Sequence, residues 1–274
     1  MPQKKIAIVI IARNEEDRLE NTLKSVVNQT FAPFRIICID DGSTDNTLQI
    51  IKSFPEIELI SSKKQHSSYL GKKELASIIN LGLEQVKNDQ SIDFIVILGA
   101  DTILPKDYFS TLIEKMEQDD NLVIASGIII GEYSKVPRGS GRMVRATFWK
   151  KIGSLYPVNY GFEAYLVLKA ESMGYVTKTY QDLLLETQRK TSSKYPDKLY
   201  QYYGMAMKSL GYTFTYSLGR SLLLMKKKPL GGLFLILGYF STNIEFYESE
   251  LRKFVRDTQK NLPLRFYINR ATEK

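Results

Sequence analysis

Arg35-Ile36-Ile37-Cys38-Ile39-Asp40-Asp41-Gly42-Ser43-Thr44-Asp45 is the stretch that decides the fold. Four apolar residues in a row, rich in β-branched side chains, read as a parallel strand buried on both faces, because alternation is lost when neither face meets water. The run ends in two carboxylates. The same pattern returns at Phe94-Ile95-Val96-Ile97-Leu98, which leads into Gly99-Ala100-Asp101. Open α/β sheets hold ligands at the carboxyl ends of their strands, so both acidic clusters fall at a ligand-binding edge suited to something cationic or hydroxyl-rich.

Working outward, Ile6 to Ile11 is a third such run. From Glu15 to Gln29, Leu19, Leu23, Val26 and Val27 recur at helical spacing, with acids in the first turn where the helix dipole favours them. Ser43, Thr44 or Asp45 is placed to cap a helix after the second strand, Ile57 to Ile60 is a further apolar run, and a helix over about 72–87 precedes the strand at 94–98. This β-α-β-α-β order predicts a mostly parallel, Rossmann-like α/β sheet flanked by helices, since each right-handed crossover brings the chain back beside the previous strand.

Adjacent residues of a strand point to opposite sides, so one of Asp40 and Asp41 is free to face a ligand while the other holds the loop. Gly42 permits the tight turn. As a bare pattern Asp-Asp-Gly-Ser is also an ordinary strand-to-helix turn. Asp101, ahead of Thr102-Ile103-Leu104-Pro105, is placed either to bind a hard divalent ion that bridges two phosphates or to cap a helix starting near Pro105.

At 274 residues, 43% hydrophobic and 25% charged, the chain has the composition of a globular protein and not of a disordered one. Cys38 is the only cysteine and lies in an apolar run, which excludes a disulfide framework or a thiolate metal site; His66, the only histidine, leaves triad and multi-histidine zinc chemistry without support. The amino terminus runs directly into the first strand with no apolar leader, which predicts a cytoplasmic location. Charge is unevenly placed. Residues 1–177 carry 21 Lys and Arg against 22 Asp and Glu, whereas residues 178–274 carry 17 against 8. The composition break near 178 divides a main domain, 1–177, from a basic, partly apolar helical tail, 178–274. In that tail Ser221 to Met225 and Leu230 to Phe240 flank Lys226-Lys227-Lys228, and neither run reaches the about 20 residues that a membrane crossing needs. Two readings stand: a segment lying along an anionic membrane surface, on the cytoplasmic face, or two packed helices with a solvated lysine turn. Nucleic acid is not an expected partner, because the basic residues are interleaved with aliphatic runs and not with exposed stacking aromatics.

Taken together, Ile10 to Glu16, Ser25 to Thr30, Ile39 to Asp45, Leu98 to Pro105, Gly161-Phe162-Glu163 and Gly174-Tyr175 resemble, in order and spacing, the glycosyltransferase family 2 enzymes of the GT-A fold. The likeness covers roughly residues 4–180 and extends loosely to about 247. It implies an inverting transfer from a nucleoside-diphosphate sugar, a UDP- or GDP-sugar, to a hydroxyl of a lipid-linked or glycan acceptor, with Mg²⁺ or Mn²⁺ as cofactor. Carried over position by position, Ala12 and Asn14 lie near the base, Asp41 binds base or ribose, Lys72 lies near the diphosphate, Asp101 binds the metal, and Glu163 is the catalytic base; of the downstream basic segment, Arg189 is the residue suited to clamp the diphosphate. Gln188-Arg189-Lys190 also reads as a solvated basic turn. Two departures are visible: Gly99 stands where the family usually has an acid, and Phe162-Glu163 replaces the family's Glu-Asp pair. They keep a catalytically attenuated nucleotide-sugar-binding protein in view; a sugar nucleotidyltransferase is the third class, for which Ala12-Arg13-Asn14 is a poor match.

Overall fold

The apolar runs assemble as central strands of one sheet in a computed structural model that describes residues 4–62, 71–189 and 196–260. His66 and Lys190 lie outside the described residues. The chain divides into two compact units, the first drawn from residues 4–62, 77–156 and 173–189, the second from 71–76, 157–172 and 196–260.

In chain order the elements up to the sheet's midpoint are β1 (Ile6–Ala12), α1 (Leu19–Val27), β2 (Arg35–Asp40), α2 (Thr47–Lys52), β3 (Ile57–Ser61), α3 (Glu74–Glu84) and β4 (Phe94–Gly99). Then come β5 (Thr102–Ile103), α4 (Tyr108–Glu117), β6 (Leu122–Ile129), β7 (Arg142–Arg145), α5 (Ala146–Lys151), α6 (Phe162–Ser172) and β8 (Val176–Thr187). The strand order is β3-β2-β1-β4-β7-β6-β8-β5, with β3, β2, β1 and β4 parallel and β7 antiparallel to both β4 and β6. This is the GT-A arrangement. The parallel half follows the sequence reading; the strands at 122–129, 142–145 and 176–187 are additional. Arg142-Met143-Val144-Arg145 is too short and too charged to announce a strand, and β8 has only two buried residues, Leu183 and Leu185.

One face of β1 carries Ile6, Ile8 and Ile10 into a core shared with Leu19, Leu23 and Val26 of α1, Phe94, Val96 and Leu98 of β4, and Phe109, Leu112 and Met116 of α4. Cys38 belongs to this core, and its burial, with the nearby Asp40 charge, pushes the thiol up to about 12. α1 starts at Leu19 and not at Glu15, because the Glu15 and Glu16 amides donate to Thr47 Oγ1 (2.8 Å) and Asp45 Oδ2 (3.2 Å) and are thereby drawn into a loop.

The second unit contains α6, α7 (Leu199–Ser209), α8 (Phe214–Met225), α9 (Pro229–Tyr239) and α10 (Ser249–Lys260). Tyr165 of α6 stacks on Tyr247 at 4.8 Å, with Leu210, Leu251 and Val255 around the pair. α7 and α9 approach backbone to backbone: a Cβ at Gly204 would lie 1.9 Å from the Leu235 carbonyl oxygen, and one at Gly238 would lie 1.9 Å from that of Gln201. No helix among the described residues is long and apolar enough to cross a membrane.

Gly204→Ala is therefore expected to lower the unfolding free energy by about 1–3 kcal/mol, since the helices must separate to admit the methyl group. Gly219, inside α8, faces open space, and Gly219→Ala is expected to raise stability by about 0.5–1 kcal/mol through helix propensity alone. Denaturant unfolding of the two variants beside the parent checks both signs.

Candidate active site

In-register parallel pairing brings the carboxyl ends of three strands level: Ala12 lies opposite Asp40, and Ile11 opposite Gly99. With neighbouring strands about 4.8 Å apart, the ends of β2 and β4 are about 10 Å from one another across β1. Both acidic clusters emerge from this edge. The Asp41 amide donates to the Ala12 carbonyl at 2.9 Å, which extends the β1–β2 ladder by one rung beyond β2.

Asp40 and Asp41 take different partners. Asp40 turns back to accept from the Ser43 amide (3.1 Å), whereas Asp41 Oδ2 meets Arg13 Nη1 at 3.4 Å. Both acids are buried. The turn between them and α2 relies on Gly42 at φ 68°. Across from it, Asn14 adopts φ 51°, a conformation tolerated by asparagine more readily than by most residues. Its amide donates to Ser43 Oγ (3.0 Å) and its Oδ1 accepts from the Thr44 amide (2.8 Å), so the loops after β1 and β2 are braced against each other.

Asp101 does not cap α4, whose N-cap is Asp107. Its backbone carbonyl accepts from the Gln188 amide (2.9 Å), and its carboxylate Oδ2 lies 3.5 Å from Arg189 Nε. The same guanidinium pairs with Glu15, a carboxylate only 12% exposed whose other oxygen meets Arg18 Nη1 at 3.3 Å. Gln188 reaches the Arg18 carbonyl (2.9 Å) and Asn21 Nδ2 (3.0 Å), and Thr22 Oγ1 donates to the Ala100 carbonyl (2.8 Å). The segments after β1, β4 and β8 are thus stitched into one rim. Ala12, Asn14, Asp41, Asp101 and Arg189 are brought together there.

Arg13, Glu15 and Gln188 complete the rim; Gln188 lies in the quoted Gln188-Arg189-Lys190 segment, whereas Arg13 and Glu15 carry no role in the sequence reading. Arg13 and Glu15 sit inside the quoted Ile10 to Glu16 stretch, but their partners are 28 and 174 residues away, so local spacing carries no sign of the pairing. Lys72 and Glu163 belong to the second unit. Lys72 is half-buried in the turn before α3; Glu163 is exposed on the first turn of α6, next to buried Phe162.

At Gly99 a Cβ would meet Asp101 Oδ1 at 3.2 Å and Ser140 Oγ at 3.4 Å, so the space of the missing acid opens directly onto the Asp101 carboxylate. Ser140 Oγ instead accepts from the Gly99 amide (2.9 Å) and bonds with Thr102 Oγ1 (2.7 Å). Among the described residues no group of three or more His, Cys, Asp and Glu gathers as a metal cage. One carboxylate at an open strand end fits a hard divalent ion that takes most of its ligands from phosphate oxygens and water. Carboxylates at this rim can accept bonds from sugar hydroxyls, and Arg189 can engage a diphosphate through two parallel N–H donors.

Known proteins align with this picture. The family model for "Glycosyl transferase family 2" matches residues 7–173. A poly-beta-1,6-N-acetyl-D-glucosamine synthase of Staphylococcus aureus is 32% identical over 123 residues, 44% of this chain and 28% of that protein. Glycosyltransferase GlyA of Streptococcus pneumoniae is 25% identical over 139 residues, 50% of this chain and 18% of that protein. The chain thus matches less than a third of the length of these relatives. Among solved structures, a mannosyltransferase of Pyrobaculum calidifontis in complex with GDP-Man and Mn²⁺ superposes with a TM-score of 0.59 at 12% identity, covering 98% of this chain and 79% of that one. S. aureus TarS 1-349 in complex with UDP-GlcNAc gives 0.56 at 15% identity, covering 83% and 78%. Matched by the family model over more than half its length, and carrying the fold those structures share, this chain belongs to glycosyltransferase family 2.

Proposed function

We propose that this protein transfers a sugar, with inversion at the anomeric carbon, from a UDP- or GDP-sugar to a hydroxyl of a glycan or lipid-linked acceptor in polysaccharide assembly, at a membrane surface. The observation that carries the reading is the single rim on which Asp41, Asp101 and Arg189 are held, with Glu15 joining the β1 loop to Arg189 and Asp101. It supplies a hydroxyl acceptor, a metal ligand and a diphosphate donor group from one edge of one sheet. The two neighbouring structures solved with a nucleotide sugar support that class of donor.

In this reading Ala12 and Asn14 border the base, Asp41 accepts from base or ribose, and Arg189 engages the diphosphate. Asp101 is the ligand of Mg²⁺ or Mn²⁺. Such an ion, when bound, neutralises charge growing on the departing nucleoside diphosphate. Asp41 is already buried and fixed by Arg13, so little side-chain freedom remains to be lost when a ribose binds. Glu163 takes the proton from the acceptor hydroxyl as that oxygen attacks the anomeric carbon and the bond to the diphosphate breaks. One extra methylene relative to the family's aspartate is compatible with that reach.

Incubating the purified protein with Mn²⁺ and a panel of UDP- and GDP-sugars tests the reading: nucleoside diphosphate release supports it. Tight binding without release points to an attenuated binding protein, and pyrophosphate formation from a sugar phosphate and a nucleoside triphosphate points to a nucleotidyltransferase. Asp101→Ala is expected to remove metal-dependent donor binding in calorimetry; an unchanged affinity would place the ligand elsewhere. Arg189→Gln is expected to act in two directions. It should weaken UDP binding by about tenfold, the worth of one charge-assisted contact of about 1.5 kcal/mol, and it should tighten Mn²⁺ binding in the absence of nucleotide by freeing Asp101 of a competing cation. Glu163→Gln is expected to leave donor affinity intact and to slow transfer by about 10²- to 10⁴-fold, read in steady-state assays of the variant and parent.

A further inference from the structure

α9, Pro229-Leu230-Gly231-Gly232-Leu233-Phe234-Leu235-Ile236-Leu237-Gly238-Tyr239, has no polar face at all. A helix apolar on every side is ordinarily buried on every side. This one is not. Gly231, Gly232, Leu235 and Gly238 face inward, where α7 and α8 pack so closely that a Cβ at Gly232 would lie 2.7 Å from the Ser221 carbonyl oxygen; Ser221 Oγ also donates to the Gly232 carbonyl at 2.6 Å. Leu230, Leu233 and Leu237, at spacing i, i+3, i+7, are left outside. α8 leaves a matching stripe outside, Phe214, Leu218 and Leu222 at i, i+4, i+8. Phe214 meets Phe240 at 5.4 Å between ring centres and joins the two stripes at one end of the hairpin. These seven large apolar side chains are each between 36% and 59% exposed. Scattered apolar residues need no explanation; a continuous two-helix face of them marks an interaction surface.

Charge selects the occupant. The turn that joins α8 to α9 is Lys226-Lys227-Lys228, Lys226 and Lys227 are exposed, and so is Arg220 on α8; the described part of α8 and α9 carries no acidic residue. A purely apolar protein partner has no use for this cluster, and a second copy of the same basic hairpin is repelled by it. An apolar face bordered by cations and free of anions matches a lipid leaflet with anionic headgroups, whose acyl boundary takes the apolar side chains while the lysines stay at headgroup level. The helices, 12 and 11 residues long, are too short to cross the bilayer and long enough to lie in its surface.

We infer that the outer face of the α8–α9 hairpin is the membrane-docking surface of this protein, embedded flat in an anionic leaflet through Phe214, Leu218, Leu222, Leu230, Leu233, Leu237 and Phe240. This rests on the reading of a membrane-side acceptor and names the surface that would meet the bilayer. The test is co-flotation of the full chain with vesicles of phosphatidylcholine alone or mixed with phosphatidylglycerol. The parent is expected to float with the mixed vesicles and less with phosphatidylcholine alone. Leu222→Ser with Leu237→Ser, at exposed positions that leave the packed side of the hairpin intact, is expected to weaken partitioning at least about tenfold, with the circular dichroism unchanged. Lys226→Gln with Lys227→Gln is expected to abolish the preference for anionic vesicles and the salt dependence of binding. Equal flotation of the parent and the Leu222→Ser, Leu237→Ser variant overturns the inference. So does a parent that stays off both vesicles, including one that forms a concentration-dependent dimer lost in that variant, which would assign the face to a second copy. Nucleoside diphosphate release from the donor is measured on the same samples: loss of release with flotation intact counts against the transferase reading alone, and release without flotation counts against the docking surface alone.

Discussion

Level ends of three parallel strands are the constraint on which the rest of the first unit depends. β1 is flanked by β2 and β4 in a register that sets Ala12 beside Asp40 and Ile11 beside Gly99. A slip of two residues in either pairing would keep the apolar faces buried, because side chains alternate with a period of two, but would carry one acidic cluster about 7 Å along the sheet. The Asp41 amide bonded to the Ala12 carbonyl and the Asn14 bonds to Ser43 and Thr44 oppose such a slip on the β2 side. On the β4 side, Thr22 bonded to the Ala100 carbonyl has the same effect.

Charge at this rim is arranged in alternation. Asp41 faces Arg13, and Glu15 lies between Arg18 and Arg189, which in turn reaches Asp101. Carboxylates and guanidiniums that partner one another hold each other in place, whereas an isolated charge at the same depth would be costly. Gly99 shifts that balance, since the position that could add a second carboxylate beside Asp101 contributes only an amide to Ser140.

The second unit solves a different problem. α8 and α9 are short and rich in leucine, and with α7 they gain packing by bringing backbones together at Gly204, Gly232 and Gly238. That mode of packing consumes the small residues on the inner faces and leaves Leu230, Leu233 and Leu237 of α9 outside. The exposed apolar stripes of α8 and α9 follow from how the inner faces are built.

Sequence alone determined the parallel half of the sheet, because unbroken β-branched runs have one stable environment, and it determined that Asp40, Asp41 and Asp101 stand at strand ends, because the apolar runs stop there. It also marked the two short apolar helices around the lysine turn, by length and composition. Residues 142–145 and 176–187 became strands only through their neighbours: their side chains have no period of their own strong enough to name them, and the sheet edge supplied the hydrogen-bonding partners. The tertiary structure alone decided that Glu15 faces Arg189 and that Leu230, Leu233 and Leu237 of α9 face outward, since both follow from contacts between different elements, whose energies no local pattern of residues encodes.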